Sequence, residues 1–374
     1  MDEEEIKASF ALHRGQPHVS AGAYFHALCL DVARRASSKT RIYLDSCYWI
    51  MLRDAALGKA RRQEHSSILE LLRMLVRADR VICPVSDAVY VETMQATDRQ
   101  TRLATASLLD ELSQGICLRT EYERVTMELA DFMRSPSGEG SLVSDLAWVR
   151  PGMVLGARAP SSPALDELAN RAFQKSAIDH MWAVSFRDLV GPDGDGDLAN
   201  VMQASASRIN EKMVEYAPTI QSFQQAFAAE VSGAIKFFDE KAARDFLASH
   251  LSEFSLDDVE KCQSSMQTML FNVFRLRPEL MAKRVPSLYV HAACHAAVRW
   301  DKTRKLDGHW LMDIHHASAA CGHHHAMFTE KPLRVLMTSG HLRLHEKFGM
   351  QVIAEGGEAL RYLSDLQSAE RAAM

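Results

Sequence analysis

The sequence predicts an α/β fold in three layers, with helices on both faces of a mostly parallel central sheet, elaborated by a long helical insertion. Between residues 41 and 120, short β-prone runs (RIYLD, VICPVS, ICLRT) alternate with segments whose apolar residues recur at helical spacing, the order that builds parallel sheets. After Pro286 the alternation returns, whereas from roughly residue 130 to residue 285 only helical spacing is found. At 374 residues and 47% apolar content the chain can bury a large core, either as one elaborated domain or as two ordinary ones.

Taken in order, residues 20–37 place apolar side chains at helical spacing and run into Ser-Ser-Lys, a turn. RIYLD at 41–45 reads as a strand ending in a carboxylate, and SCYWIMLRDAALG as a helix closed by Gly58. Residues 61–78 form an amphipathic helix, followed by VICPVS as a strand with Pro84 near its end. Helical spacing resumes at DAVYVETMQ and continues to Gly115, and ICLRT is a candidate third strand. In the insertion, SSPALDELANRAFQKSAIDHMWAVSF and FSLDDVEKCQSSMQTMLFNVF are helical, and SPSGEGS and GPDGDGD are linkers. GPDGDGD lacks the spaced ligands and closing Glu of a calcium loop and reads as a solvated turn. SLYVHAACHAAVRW and LMDIHHASAACG are helices, AMFTE a strand, LRVLMTS a helix start and MQVIAE the final strand. The expected organisation is an N-terminal helical extension (1–40), the two halves of the α/β domain (41–130 and 286–374) and the insertion (131–285) between them.

Lys and Arg number 43 against 48 Asp and Glu, a net charge of −5, so no overall positive field attracts a polyanion; a nucleic acid needs a local basic patch or bound cations. The seven cysteines are scattered singly without a C-x-x-C pair, which points to a reducing compartment. The acidic start MDEEEIKASF is unlike a signal peptide, and no apolar run of about 18 residues is present, so a cytoplasmic protein with no membrane partner is expected.

Parallel sheets gather ligand sites at the carboxyl ends of their strands. Asp45 ends RIYLD, where it either caps the next helix or faces a cation. Glu92 lies about two helical turns beyond VICPVS, and Asp87, nearer that helix start, is expected to cap it. Asp313 is expected to open a helix, with His316 one turn on, and Thr329 and Glu330 follow AMF. Four carboxylates at one sheet edge repel one another unless cations neutralise them, which implies Mg2+ or Mn2+.

This layout, carried by RIYLD(S), PVSDAVYVE, DIHHA and FTEKPL, resembles the PIN-like metal-dependent nucleases over about half the chain. The resemblance implies a PIN-like α/β/α domain and metal-dependent phosphodiester hydrolysis, with RNA favoured over DNA. Asp45, Glu92, Asp313 and Glu330 are then the catalytic acids, with Asp45, Asp313, Glu330 and His325 at the metal and Ser46, Arg53, His316 and Thr329 at the substrate. Arg53, Lys59, Arg61 and Arg62, together with Arg299, Lys302, Arg304 and Lys305, are the basic residues available to hold a strand. A homo-oligomer or a regulatory protein partner is left open. Two features depart from the pattern: His325 stands where an acid is common, and the last acid is Glu330 rather than Asp. They favour the alternative of a non-cleaving scaffold that binds nucleic acid or a protein.

Of the sixteen histidines, His291, His295, His309, His315, His316 and the run His323–His325 are crowded into 35 residues. His291 and His295 share a helix face at the i, i+4 spacing of metal ligands but without the Glu of an H-E-x-x-H motif, so packing is the simpler expectation. A zinc protein built on His291, His295 and Cys294 is the third reading.

Overall fold

The computed structural model describes residues 3–156, 160–191, 198–248, 252–301 and 305–371. The chain is a mostly helical α/β protein, and its strands are few and short. They are β1 (Thr40–Leu44), β2 (Val81–Ile82), β3 (Cys117–Leu118), β4 (Trp148–Val149), β5 (Ala326–Phe328) and β6 (Gln351–Ile353). A small parallel sheet has the order β2-β1-β5-β6, with Thr40 of β1 opposite Val81 of β2 and Arg41 opposite Ile82.

ICLRT departs from expectation. Its Cys117–Leu118 segment pairs antiparallel with β4 rather than extending the parallel sheet, and keeps only one parallel bridge, Cys117 to Val85. Pro84 has no N–H to donate, so a ladder cannot run on through VICPVS. The flanking amides instead bond to the end of helix Arg99–Ser113 and the turn after it, Cys83 N–H to Leu112 C=O at 3.0 Å and Val85 N–H to Ile116 C=O at 3.2 Å. Strand β4 falls within the segment expected to be wholly helical; two residues are too few to show a period. Pro192–Asp197 of GPDGDGD, and Lys302 and Arg304 of the basic set, lie outside the described residues.

The chain divides into two compact units, one of Met1–Thr120, Ser144–Gly196 and Ile353–Met374, the other of Glu121–Val143 and Asp197–Val352. In the first, Ile42, Tyr43 and Leu44 of β1 are fully buried with Trp49, Leu52, Ile68 and Leu72. Helix Gln63–Arg77 buries Ile68, Leu69, Leu72, Leu75 and Val76, the three- and four-residue spacing read from its sequence, and helix Gly356–Arg371 packs along it. Helix Glu3–Arg14 packs on helix Glu167–Ala183 around a polar knot. Asp179 accepts from Ser9 Oγ at 2.6 Å, His13 Nε2 at 2.8 Å and Tyr24 OH at 2.5 Å, while buried Lys175 donates to the Gln16 carbonyl at 2.8 Å.

In the second unit, helix Pro286–Trp300 lies against helices Phe223–Ala234 and Gly308–Ala320, and the last of these also packs on Leu198–Tyr216. Ala206, Val298, Leu306 and Leu311 form one apolar cluster, and Ile220, Ala226 and Ala296 another. Asn210 fixes the approach to helix Gly308–Ala320: its Nδ2 donates to the Leu306 carbonyl at 2.7 Å and its Oδ1 accepts from the Leu306 N–H at 2.9 Å.

Candidate functional site

Asp45 follows β1 directly and is the N-cap of helix Ser46–Ala56, its Oδ1 accepting from the Ser46 N–H at 2.6 Å. Capping and ligand roles are compatible, because a cap fixes the carboxylate's orientation. Asp45 and Ser46 are both buried. Glu92 sits half-buried on helix Asp87–Met94, which starts just past β2, and offers an oxygen within 4.8 Å of one on Asp45. Ser86, not Asp87, caps this helix; its Oγ accepts from the Val89 N–H at 3.2 Å and shares a 2.8 Å hydrogen bond with the Tyr43 hydroxyl. A serine two residues before Ala88 reaches the orphan amide, and Asp87 is left as the first helical residue. Arg53, expected at the substrate, lies on the same helix as Asp54 and donates to it from Nε at 3.0 Å and Nη2 at 2.7 Å.

The second unit holds Asp313, His316, His325, Thr329 and Glu330. Asp313 does not open its helix. The helix begins at Gly308 with Asp307 as its N-cap, Oδ1 accepting from the Trp310 N–H at 2.9 Å, so Asp313 lies mid-helix and half-buried, one turn before fully buried His316. The signal was present as Asp-Gly ahead of an apolar turn, an N-cap followed by a helix start. Thr329 is buried at the end of β5; Glu330, the N-cap residue of helix Lys331–Thr338, is exposed and makes no side-chain cap bond. His325 is exposed, and its carbonyl accepts from the Gln351 N–H at 3.0 Å.

Sequence reasoning missed a second constellation, built on helix Glu121–Arg134. Glu121, Arg124, Glu128 and Asp131 are all buried at spacings of three and four residues, interleaved with Val125, Leu129 and Phe132. Charges at helical spacing normally mark a solvated face, which hid them. Each is met by a partner. Asp131 accepts from Arg284 and Arg134 at 2.6 Å each and from Ser141 Oγ at 2.6 Å. Glu128 accepts from the Ser287 N–H at 3.0 Å and Oγ at 2.8 Å, and Arg124 Nε reaches the same Ser287 Oγ at 3.2 Å. Burial pushes the Glu128 carboxyl up to about 7, against the opposing pull of Ser287 and Arg124.

Glu121 heads this stripe between two histidines from different helices. Its Oε1 lies 3.2 Å from Nδ1 of His291, on helix Pro286–Trp300, and its Oε2 pairs with Nδ1 of His315, on helix Gly308–Ala320. Burial acts to raise the Glu121 carboxyl, but the charges and hydrogen bonds of His315 and His291 outweigh it and hold it well below the usual carboxylate range. His295 stacks beside His291 with ring centroids 4.6 Å apart, and desolvation, then the charges of His291 and His315, push it well below the usual histidine range. Cys294 is fully buried, and burial raises its thiol to about 12, so it offers no thiolate at neutral pH.

No family model, curated protein or solved structure matches this chain. Among the described residues, no helix is long and apolar enough to cross a membrane.

Proposed function

We propose that the chain is a metal-dependent phosphodiesterase of PIN-like, three-layer architecture acting on RNA, with Asp45 and Glu92 at the centre of its site. The observation that supports this is the pair itself: two carboxylates within 4.8 Å of each other, one ending β1 and the other on the helix just past its parallel neighbour β2. Two carboxylates so close together repel one another, and carboxylate oxygens suit a hard ion, Mg2+ or Mn2+. A bound ion of this kind supplies Lewis-acid charge on the phosphate and lowers the pKa of a coordinated water.

Asp45, its carboxylate turned by the Ser46 amide, is the fixed ligand; Glu92, on a longer side chain, orients the attacking water. By the PIN-like resemblance, Asp313 and Glu330 are the remaining catalytic acids, and His316 or His325 the group at the metal or the phosphate. A non-cleaving scaffold is the competing reading, favoured by Arg53 being held by Asp54 and by His325 standing in place of an acid.

Cleavage of labelled single-stranded RNA, structured RNA and DNA in Mg2+ or Mn2+ separates the two. Asp45→Asn keeps a good N-cap, so its fold should survive. A drop of roughly 100-fold or more in both Asp45→Asn and Asp313→Asn, about 3 kcal/mol of transition-state stabilisation, is the expected result. No cleavage by folded wild type on any substrate would establish the scaffold instead.

A further inference from the structure

We propose that Glu121, His291 and His315 form a transition-metal site, selective for Zn2+ over Mg2+, within the second unit and independent of the Asp45–Glu92 pair. Each residue offers a ligand atom, and these atoms lie within 4.8 Å of one another. They come from three helices, Glu121–Arg134, Pro286–Trp300 and Gly308–Ala320, so the tertiary fold, not a local turn, brings them together.

The donor set decides the class of ion. Two imidazoles and one carboxylate suit zinc and its first-row neighbours, whereas Mg2+ and Ca2+ take oxygen. Three protein ligands are also the number found where zinc keeps a position for water or substrate. Metal-to-ligand bonds of about 2.0–2.2 Å at a tetrahedral angle put neighbouring donor atoms roughly 3.3 Å apart. The separation of Glu121 Oε1 and His291 Nδ1, 3.2 Å, is close to that edge and long for a charge-assisted hydrogen bond. The His315 contact is shorter, and opens as an ion enters.

The surroundings fit a ligand site better than a sealed ion pair. Glu121 is nearly buried, while the side chains of His291 and His315 are 23% and 34% exposed, which leaves a path for an ion and a face for water. Three further groups of the same unit stand around it. His295 lies against the His291 ring, and Glu230, whose carboxyl is influenced by His291, is held by Arg299 at 2.6 Å. Further along the helix, Glu128 and Asp131 are already committed to Ser287 and Arg284, so Glu121 is the one carboxylate of the buried stripe that faces imidazoles.

The test is zinc binding to the full chain, stripped with chelator and dialysed, by competition with a chromophoric chelator and by Co2+ absorption. One equivalent of Zn2+ should bind with Mg2+ in excess, and Co2+ should give visible bands of four- or five-coordinate intensity. Glu121→Gln, His291→Ala and His315→Ala should each weaken zinc by roughly 100-fold or more, exceeding the effect of losing a supporting partner, while Asp45→Asn leaves it unchanged. If buried Glu121 cannot be replaced without unfolding, His315→Ala, at a partly exposed position, decides alone. Absence of tight zinc binding by folded wild type, or zinc retained at full affinity in folded His315→Ala, overturns the proposal; the latter would move the ion to another donor group such as the His323–His325 run.

Discussion

Glu128 shows how a residue chosen for burial writes itself into the pH dependence of stability. Its carboxyl rises from 4.5 to about 7 in the folded chain, so between those values the folded state holds a proton that the unfolded state has lost. Stability from this group is therefore full below about pH 4.5 and is lost as pH rises through 7, by about 3 kcal/mol. Urea unfolding of wild type and Glu128→Gln across pH 4.5–8 should show the variant gaining on wild type over that window; parallel curves would place the proton elsewhere. Asp131, one turn on, accepts hydrogen bonds from Arg284, Arg134 and Ser141. Asp131→Ala strands the buried Arg284 guanidinium and should cost roughly 3–5 kcal/mol by the same measurement. Neither role was legible in EYERVTMELADFMR, because helical periodicity identifies faces and cannot say which polar face has a partner waiting.

Among the elements, the helices of long period and the short strands β2 and β3, each set in a β-prone run, were readable, and β4 was not. Helix Gln63–Arg77 and strand β1 stand close to where their spacing put them, while β4, the antiparallel partner of β3, has too few residues to print a pattern. Two helix starts were misplaced: Asp87 was given the cap that Ser86 holds, and Asp313 was set at the start of a helix that Asp307 caps six residues earlier, since any Asp near a helix start resembles its beginning until the geometry is seen. The turn after β4 carries its own requirement. A Cβ at Gly152 would lie 2.0 Å from the Met181 carbonyl oxygen, at the end of helix Glu167–Ala183, and a backbone atom cannot swing aside. Gly152→Ala should lower stability by about 2–3 kcal/mol in thermal or urea unfolding, whereas Gly140→Ala meets no atom within 4 Å and is limited to the strain of a φ of +68°.

At the scale of the whole molecule, a net charge of −5 sets the terms for any polyanionic partner. If RNA is the substrate, its retention on a filter should fall at least tenfold when divalent ions are chelated, because the protein brings no general positive field; undiminished binding in chelator would show a basic patch that works without metal. The acidic half of the candidate site was legible because Asp45 and Glu92 sit at fixed offsets from β-prone runs. The Glu121–His291–His315 group was not, because its members are separated by 170 and 24 positions in sequence and meet only after three helices pack. The segment ahead of Ala21, which reads as an extension, has a practical weight of its own. Asp179 accepts hydrogen bonds from Ser9 and His13, and Lys175 donates one to the Gln16 carbonyl, so the leading helix and the turn after it cover a polar cluster. A shortened form lacking the first nineteen residues would uncover a lysine and an aspartate shaped for partners that had been cut away. A trimmed expression version that keeps Glu3 should stay soluble where one beginning at Ser20 aggregates.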